Sequence, residues 1–305
     1  MKNPQGERLR PVAGRHNSLV KQVRRAFAGG ELTPAGECAV EGVRIVEEAI
    51  RSGLRLRTVL FSESGRARAN RLLPQLGAHV ETLLLPDKLF TSVVPSETPQ
   101  GVAALVHVRQ FVLQDLLAAH AAPAQGRPAL IVVVAGVQDP GNLGTILRSA
   151  EAFGASGVLL GENTVSAYNS KVVRASAGSI FRIPLVKQEL GTALPGLREQ
   201  GLRLFATSSH KGTPVHDAQL TPPLALLVGS EGAGLPREIM AQVDGVVAIP
   251  HSPKVESLNA GVAASIVLYE AARQRRLVHH RDTETQRKTR TEKSEKPGQE
   301  DLGHI

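Results

Sequence analysis

Residues 248–270 read AIPHSPKVESLNAGVAASIVLYE, and the fold turns on how this stretch is parsed. A short apolar run, Val246, Val247, Ala248 and Ile249, stops at Pro250. A polar loop follows, and Ser257 then stands immediately before a helical pattern in which Leu258, Val262, Ile266 and Tyr269 share one face. Ser257 is the expected N-cap, its hydroxyl accepting an unpaired backbone N–H of the first turn. The opposite face carries Ala260, Gly261, Ala263, Ala264 and Ser265, which lets another backbone or a flat ligand approach closely. By itself the pattern predicts a buried strand, a loop and a capped, buried helix.

Two other segments have the same build. Residues 224–236, LALLVGSEGAGLP, give a buried strand and then a glycine-rich turn with one carboxylate, Glu231. Residues 129–154, ALIVVVAGVQDPGNLGTILRSAEAFG, give another buried strand, a turn, and a helix carrying Arg148. In this order and spacing the three segments resemble the motifs of the SpoU (TrmH) family of SPOUT methyltransferases, which move a methyl group from S-adenosylmethionine to a ribose 2′-hydroxyl of RNA. The resemblance rests on Asn142, Gly144 and Arg148 in the first, Gly229, Glu231 and Gly234 in the second, and Ser257, Leu258 and Asn259 in the third. It spans roughly residues 129–273, about half the chain.

Composition sets the outer bounds. A chain of 305 residues can bury substantial cores and is long enough for two domains with tails. The formal charge is +8 and unevenly spread. Residues 1–30 hold seven Lys and Arg against the single Glu7, and residues 273–305 hold nine against six acids. Such a balance suits a polyanionic partner through phosphate neutralisation, although charge alone fits a merely basic surface equally well. Aromatics make up 3% with no Trp, which argues against base stacking as the main grip on RNA. The single Cys38 excludes an internal disulfide and a cysteine-based zinc site, and reads as a small core residue. His210, His216 and His251 show no metal-ligand spacing, so no metal is expected. No stretch reaches the ~18 apolar residues of a membrane span, and the N-terminus lacks an apolar signal core. The expected location is the cytoplasm.

Along the chain, residues 1–30 form a basic N-terminal segment in which residues 17–27 suggest a short amphipathic helix. Residues 31–110 alternate strand and helix as a small α/β unit: strands at 38–40, 58–61, 78–84 and 102–108, helices at 43–52 (closed by Gly53) and 64–76. Glu41-Gly42 opening a helix and Thr98-Pro99-Gln100-Gly101 before a strand resemble the small ribosomal-protein-like RNA substrate domain often fused to SpoU enzymes. Residues 111–128 read as a helix and linker. Residues 129–276 form the second domain, with strands at 130–135, 157–160, 202–206, 224–228 and 246–249 and helices starting near Leu143, Asn169, Gly191 and Pro236. Several of these strands are continuous apolar runs, as in a parallel sheet covered on both faces. Residues 277–305 have too few apolar residues to fold and are expected to be disordered.

Methyl transfer from a sulfonium is an in-line displacement that requires donor carbon and acceptor oxygen to be held together. All three motif turns follow strands, where open α/β sheets place their ligands. No G-x-G-x-x-G follows the first strand of the second domain, which disfavours a Rossmann-type methyltransferase. The resemblance implies a deep trefoil knot at the C-terminal end, a homodimer, and S-adenosylmethionine among Thr207, Ser208, Gly229, Gly232, Ile249, Pro250, Leu258 and Asn259. A glycine turn needing φ > 0 is the plain alternative for Gly229, Gly232 and Gly234. The residues expected to carry catalysis are Asn142, Arg148, Glu231, Ser257 and Asn259. A guanidinium is essentially never deprotonated, so Arg148 is read as holding the phosphate beside the target ribose and stabilising negative charge; its alternative is a surface ion pair with Glu151 at i+3. Lys21, Arg24, Arg25, Arg66, Arg68, Arg71 and Arg174 are the expected RNA contacts, each otherwise a solvated cation. Ribosomal RNA is the first expectation, with transfer RNA, or a catalytically silent RNA-binding or ribosome-assembly protein on the same fold, as alternatives.

Overall fold

A computed structural model describes residues 8–121 and 128–275. The expected disordered tail at 277–305 and residues 122–127 of the expected helix and linker at 111–128 fall outside the described residues.

The first unit contains β1 (Arg10–Pro11), α1 (Ser18–Gly29), β2 (Glu37–Glu41), α2 (Val43–Arg51), β3 (Arg55–Ser62), α3 (Arg66–Leu72), β4 (Glu81–Leu85), α4 (Asp87–Thr91) and β5 (Val102–His107). Its strands form a sheet in the order β1-β4-β3-β5-β2, with β5 antiparallel to both β2 and β3. The two sequence fragments Glu41-Gly42 and Pro99-Gln100 meet here: the Gln100 side chain accepts a hydrogen bond from Val43 N at 3.3 Å, where α2 starts. Gly42, at φ 104°, has no side chain of its own to cap that helix. The helix expected at 64–76 stops at Leu72 and tightens into a 3₁₀ turn, Leu73–Gln75, because Pro74 cannot continue the ladder.

After α5 (Leu113–Ala121) come β6 (Leu130–Val134), α6 (Pro140–Ala152), β7 (Gly157–Leu160), α7 (Ser170–Ala175), β8 (Leu185–Lys187), α8 (Leu190–Glu199), β9 (Arg203–Ser208), β10 (Thr213–Pro214), β11 (Leu224–Val228), α9 (Arg237–Met240), β12 (Gly245–Ala248) and α10, residues 260–275. The strands pair throughout in parallel, in the order β10-β12-β9-β11-β6-β7-β8. The continuous apolar runs behave as expected. In β6, Leu130, Val132 and Val134 enter one core while Ile131 and Val133 enter another, and β11 divides in the same way. One core also takes up α6, α7 and α10; the other takes up α5 and α8. Strands β8 and β10 were not anticipated, being two or three residues long at the sheet edges, where Pro214 is tolerated.

Helix α10 departs from its sequence reading in two ways. It starts at residue 260, and Asn259, not Ser257, caps it, accepting from Val262 N at 3.1 Å. The expected apolar face is turned outward, with Val262 47% and Tyr269 56% exposed, while Ala260, Ala264, Val267, Leu268 and Ala271 are buried. The small-residue face packs because α6 lies so close: Ser265 Oγ is 2.7 Å from Ser149 Oγ, and a Cβ on Gly261 would stand 3.1 Å from Thr145. The far end of α10 is anchored by Arg275, whose guanidinium donates to the carbonyls of Pro128, Ala129, Leu220 and Pro222. Burial lowers that guanidinium's pKa to about 10.

The two units share a core, because Cys38 and Val40 of the first sheet belong to the same buried cluster as Val172, Val173, Ile180 and Phe181. Two arginines pin the seam. Arg174 on α7 donates to Ser96 Oγ at 2.8 Å and lies 3.7 Å from Glu41, and Arg182 bridges Glu48 and Glu151.

Candidate active site

Strands β12, β9, β11 and β6 are neighbours and all parallel, so the turns leaving their C-terminal ends gather at one edge of the sheet. Asp139 begins the construction: its Oδ1 accepts from Asn142 N at 2.8 Å, and Pro140 occupies the first helical position, where a missing N–H costs nothing. Asn142 is thereby fixed in the first turn of α6, only 7% exposed. Its Nδ2 donates to Glu231 Oε1. Asn259 Nδ2 donates to Asn142 Oδ1 at 2.7 Å and to Glu231 Oε1 at 3.2 Å, and Ala260 N approaches the same oxygen at 3.4 Å. One carboxylate oxygen thus gathers three N–H donors from two other segments, the charge-assisted pairing a largely buried amide requires. The three motif turns converge.

Glu231 is presented by a turn that closes on itself. Ser230 and Gly234 exchange backbone hydrogen bonds at 3.2 and 3.0 Å. Of the three glycines expected to need a left-handed backbone, only Gly234 has one, at φ 66°. Gly229 is required for space instead, since a Cβ there would stand 2.4 Å from Gly234 C, and Gly232 faces open space.

Beside this network lies a cleft of about 350 Å³. The expected residues Thr207, Ser208, Gly229, Gly232, Ile249 and Leu258 line it, as do Glu231 and Ser257. Pro250 does not line it; it is exposed just beyond Ile249, and Asn259 stands behind the wall in the hydrogen-bond network. Val247, Met240, Ser209 and His251 are among the further lining residues, none of them expected from sequence as a cofactor contact. His251 had a usable signal, its place next to Pro250 inside the third motif, whereas Met240 had none. His251 Nδ1 is 2.7 Å from Ile249 O, and its ring meets that of His210 edge-on at 6.2 Å.

Arg148 is exposed on α6, outside the cleft lining, and among the described residues its guanidinium forms no hydrogen bond or ion pair. The surface pair with Glu151 is not made, because Glu151 is held by Arg182. Of the cations expected to meet RNA, Lys21, Arg25, Arg66 and Arg68 are exposed. Three are engaged within the protein: Arg24 with Ser92, Arg71 with Glu47 at 2.8 Å, and Arg174 across the seam. Arg44 and Lys171, which sequence did not single out, line the groove between the units together with Arg174. Cys38 is fully buried, and that burial pushes its thiol up to about 12.

Comparison with known proteins places this geometry. Residues 129–269 match the SpoU rRNA Methylase family, and residues 17–104 match the MRM3-like substrate binding domain. The 23S rRNA (guanosine(2553)-2'-O)-methyltransferase RlmP of Bacillus subtilis is 31% identical over 86% of this chain and 98% of its own. The SpoU methyltransferase AviRb from Streptomyces viridochromogenes, solved in complex with AdoMet, superposes with a TM-score of 0.72 at 31% identity, over 85% of this chain and 98% of its own. An AdoMet-bound rRNA methyltransferase from Sinorhizobium meliloti gives 0.72 at 28% identity, over 88% and 98%. With its three motif turns assembled at one sheet edge and a relative of this similarity matched over nearly its whole length, the chain belongs to the SpoU methyltransferase family.

Proposed function

We propose that this chain transfers a methyl group from S-adenosylmethionine to a ribose 2′-hydroxyl of ribosomal RNA. The observation that carries the reading is the Asn142–Glu231–Asn259 network beside a cleft, with an arginine that has no partner among the described residues on the helix that starts there. The lining suits the cofactor. Val247, Ile249 and Leu258 offer apolar walls to a flat adenine, Ser208 and Ser209 offer hydroxyls, and Glu231 sets a negative charge against a sulfonium. When bound, S-adenosylmethionine supplies an electrophilic methyl group.

The residues divide the work. Thr207, Ser208, Gly229, Gly232, Ile249 and Leu258 hold the cofactor; Asn142, Glu231 and Asn259 fix the relative positions of the three turns that form the cleft. Ser257, on the cleft wall, positions the acceptor side. Arg148, free of partners among the described residues, receives the phosphate next to the target ribose and stabilises the negative charge that grows on the 2′-oxygen as it attacks. Its guanidinium keeps its protons, so its contribution is binding and electrostatics.

In the same reading, the chain between β12 and α10 completes a trefoil knot. This is supported by α10 leaving the cleft edge, packing on α6 and ending at Arg275 beneath the starts of β6 and β11. The protein acts as a homodimer in the cytoplasm. Val255, 45% exposed, together with Val262 and Tyr269, offers an apolar strip that a second copy would cover. Lys21, Arg25, Arg66 and Arg68 meet RNA phosphates from the first unit. The direct test is S-adenosylmethionine titration followed by labelled-methyl incorporation into deproteinised ribosomal RNA. Cofactor binding with 2′-O-methylribose as product supports the reading; absence of cofactor binding overturns it.

A further inference from the structure

Arg148 and Glu151 lie one turn apart on α6, at the i, i+3 spacing where arginine and glutamate ordinarily pair. They do not pair. Glu151 accepts from Arg182 Nε at 2.5 Å and from Arg182 Nη2 at 3.0 Å, a clasp using both carboxylate oxygens. Nη1 of the same guanidinium donates to Glu48 Oε2 at 2.9 Å, and Glu48 is held in turn by Arg51 at 2.7 Å. The hydrogen bonds from Arg182 keep the Glu151 carboxyl below the usual carboxylate range. Arg182 directly follows a 3₁₀ turn, Ser179–Phe181, whose three residues are buried, so rigid backbone sets where the guanidinium can reach.

We infer that Arg182 is a positioning residue for methyl transfer: by holding the Glu151 carboxylate it leaves Arg148 free to receive RNA phosphate. The inference rests on the role proposed above for Arg148. Without Arg182, the freed carboxylate has two effects in the same direction. It pairs with Arg148, the neighbouring cation on its own helix, and it places an uncompensated negative charge beside the phosphate site. Glu48 extends the clasp to α2, so the element that keeps Arg148 free is also a contact of the first unit.

The test uses the full chain and labelled-methyl transfer to ribosomal RNA, with cofactor affinity measured in parallel. Arg182→Ala is expected to lower kcat/KM for RNA about three- to tenfold, with cofactor affinity unchanged and a smaller loss at high salt. Adding Glu151→Gln to Arg182→Ala is expected to restore kcat/KM to within about twofold of wild type, because a neutral amide neither captures Arg148 nor repels phosphate. A purely structural clamp gives no such recovery, since the double variant lacks the clasp as well. Arg182→Lys, which keeps the charge, should retain most of the activity. Wild-type activity in Arg182→Ala, or a loss that Glu151→Gln does not relieve, overturns the inference. If Arg148→Ala itself transfers at the wild-type rate, the role of Arg148 falls and the inference falls with it, an outcome distinct from the first two.

Discussion

Replacing Glu231 by alanine tests whether one carboxylate ties the cleft together. Its Oε1 receives Asn142 Nδ2, Asn259 Nδ2 and Ala260 N, from the starts of α6 and α10. After truncation, Asn259 Nδ2 still reaches Asn142 Oδ1 at 2.7 Å. Asn142 Nδ2, on a residue 7% exposed, loses its acceptor. A buried donor left unmatched costs about 1–3 kcal/mol, and a hydrogen bond to a charged acceptor contributes about 1.5–3 kcal/mol. A combined loss of about 2.5–6 kcal/mol follows, which at about 2–4 °C per kcal/mol lowers the melting temperature by roughly 5–24 °C. The turn carrying Glu231 also walls the cleft. Part of the same free energy therefore appears as weaker cofactor binding, tenfold for each ~1.4 kcal/mol. Glu231→Gln keeps an acceptor oxygen without the charge and should fall between. Scanning calorimetry and isothermal titration with S-adenosylmethionine read both effects. If Glu231→Ala melts and binds like wild type, the network does not organise the site.

Further outcomes follow from other residues. Arg148→Ala should leave melting within ~0.5 kcal/mol of wild type, because the side chain is exposed and has no partner among the described residues, yet lower transfer about 10²–10³-fold with cofactor binding intact; measured kcat and cofactor affinity decide it. Gly144→Ala places a Cβ 2.3 Å from Ala175 Cβ where α6 meets α7, so a destabilisation of about 1–3 kcal/mol is expected by chemical denaturation. Cys38, buried with its thiol pushed up to about 12, should resist alkylation at neutral pH and react once the chain is unfolded in denaturant; fast labelling of the native protein would contradict its burial. Arg273 holds the Glu270 carboxyl below its ordinary pKa. The stability this contributes is present above the unfolded-state value of about 4.3 and disappears as pH falls through the lower folded-state value. The stability gap between wild type and Glu270→Gln should therefore close on acidification in denaturant titrations at a series of pH values. If the proposed dimer forms through this strip, Tyr269→Glu should shift it to monomer in light scattering while leaving the first unit folded.

What the sequence made legible was governed by local rules. Apolar runs such as LIVVV and LALLV could only be strands covered on both faces, and their order placed the motif turns at one sheet edge. Asn142, Glu231 and Asn259 could be chosen because the three turns that carry them resemble the SpoU motifs in order and spacing. What stayed hidden depends on contacts between distant positions. The cap of α10 went to Asn259 rather than Ser257 because Asn259 already faces Asn142 and Glu231, a fact separated by 117 residues in sequence. The face of α10 was misassigned because helical periodicity shows that an apolar stripe exists without showing that the small-residue stripe packs more closely on α6. Arg174 and Arg71 read as surface cations until the fold brought Glu41 and Glu47 beside them.

The central claim is chemical: a sulfonium methyl group leaves this cleft for a ribose oxygen of RNA. It is tested most directly by incubating the full chain with labelled S-adenosylmethionine and unmodified ribosomal RNA and digesting the product to nucleosides for mass spectrometry. The expected result is label in a single 2′-O-methylribonucleoside, lost with Arg148→Ala. Label on a base nitrogen or carbon, or none despite cofactor binding, would contradict it.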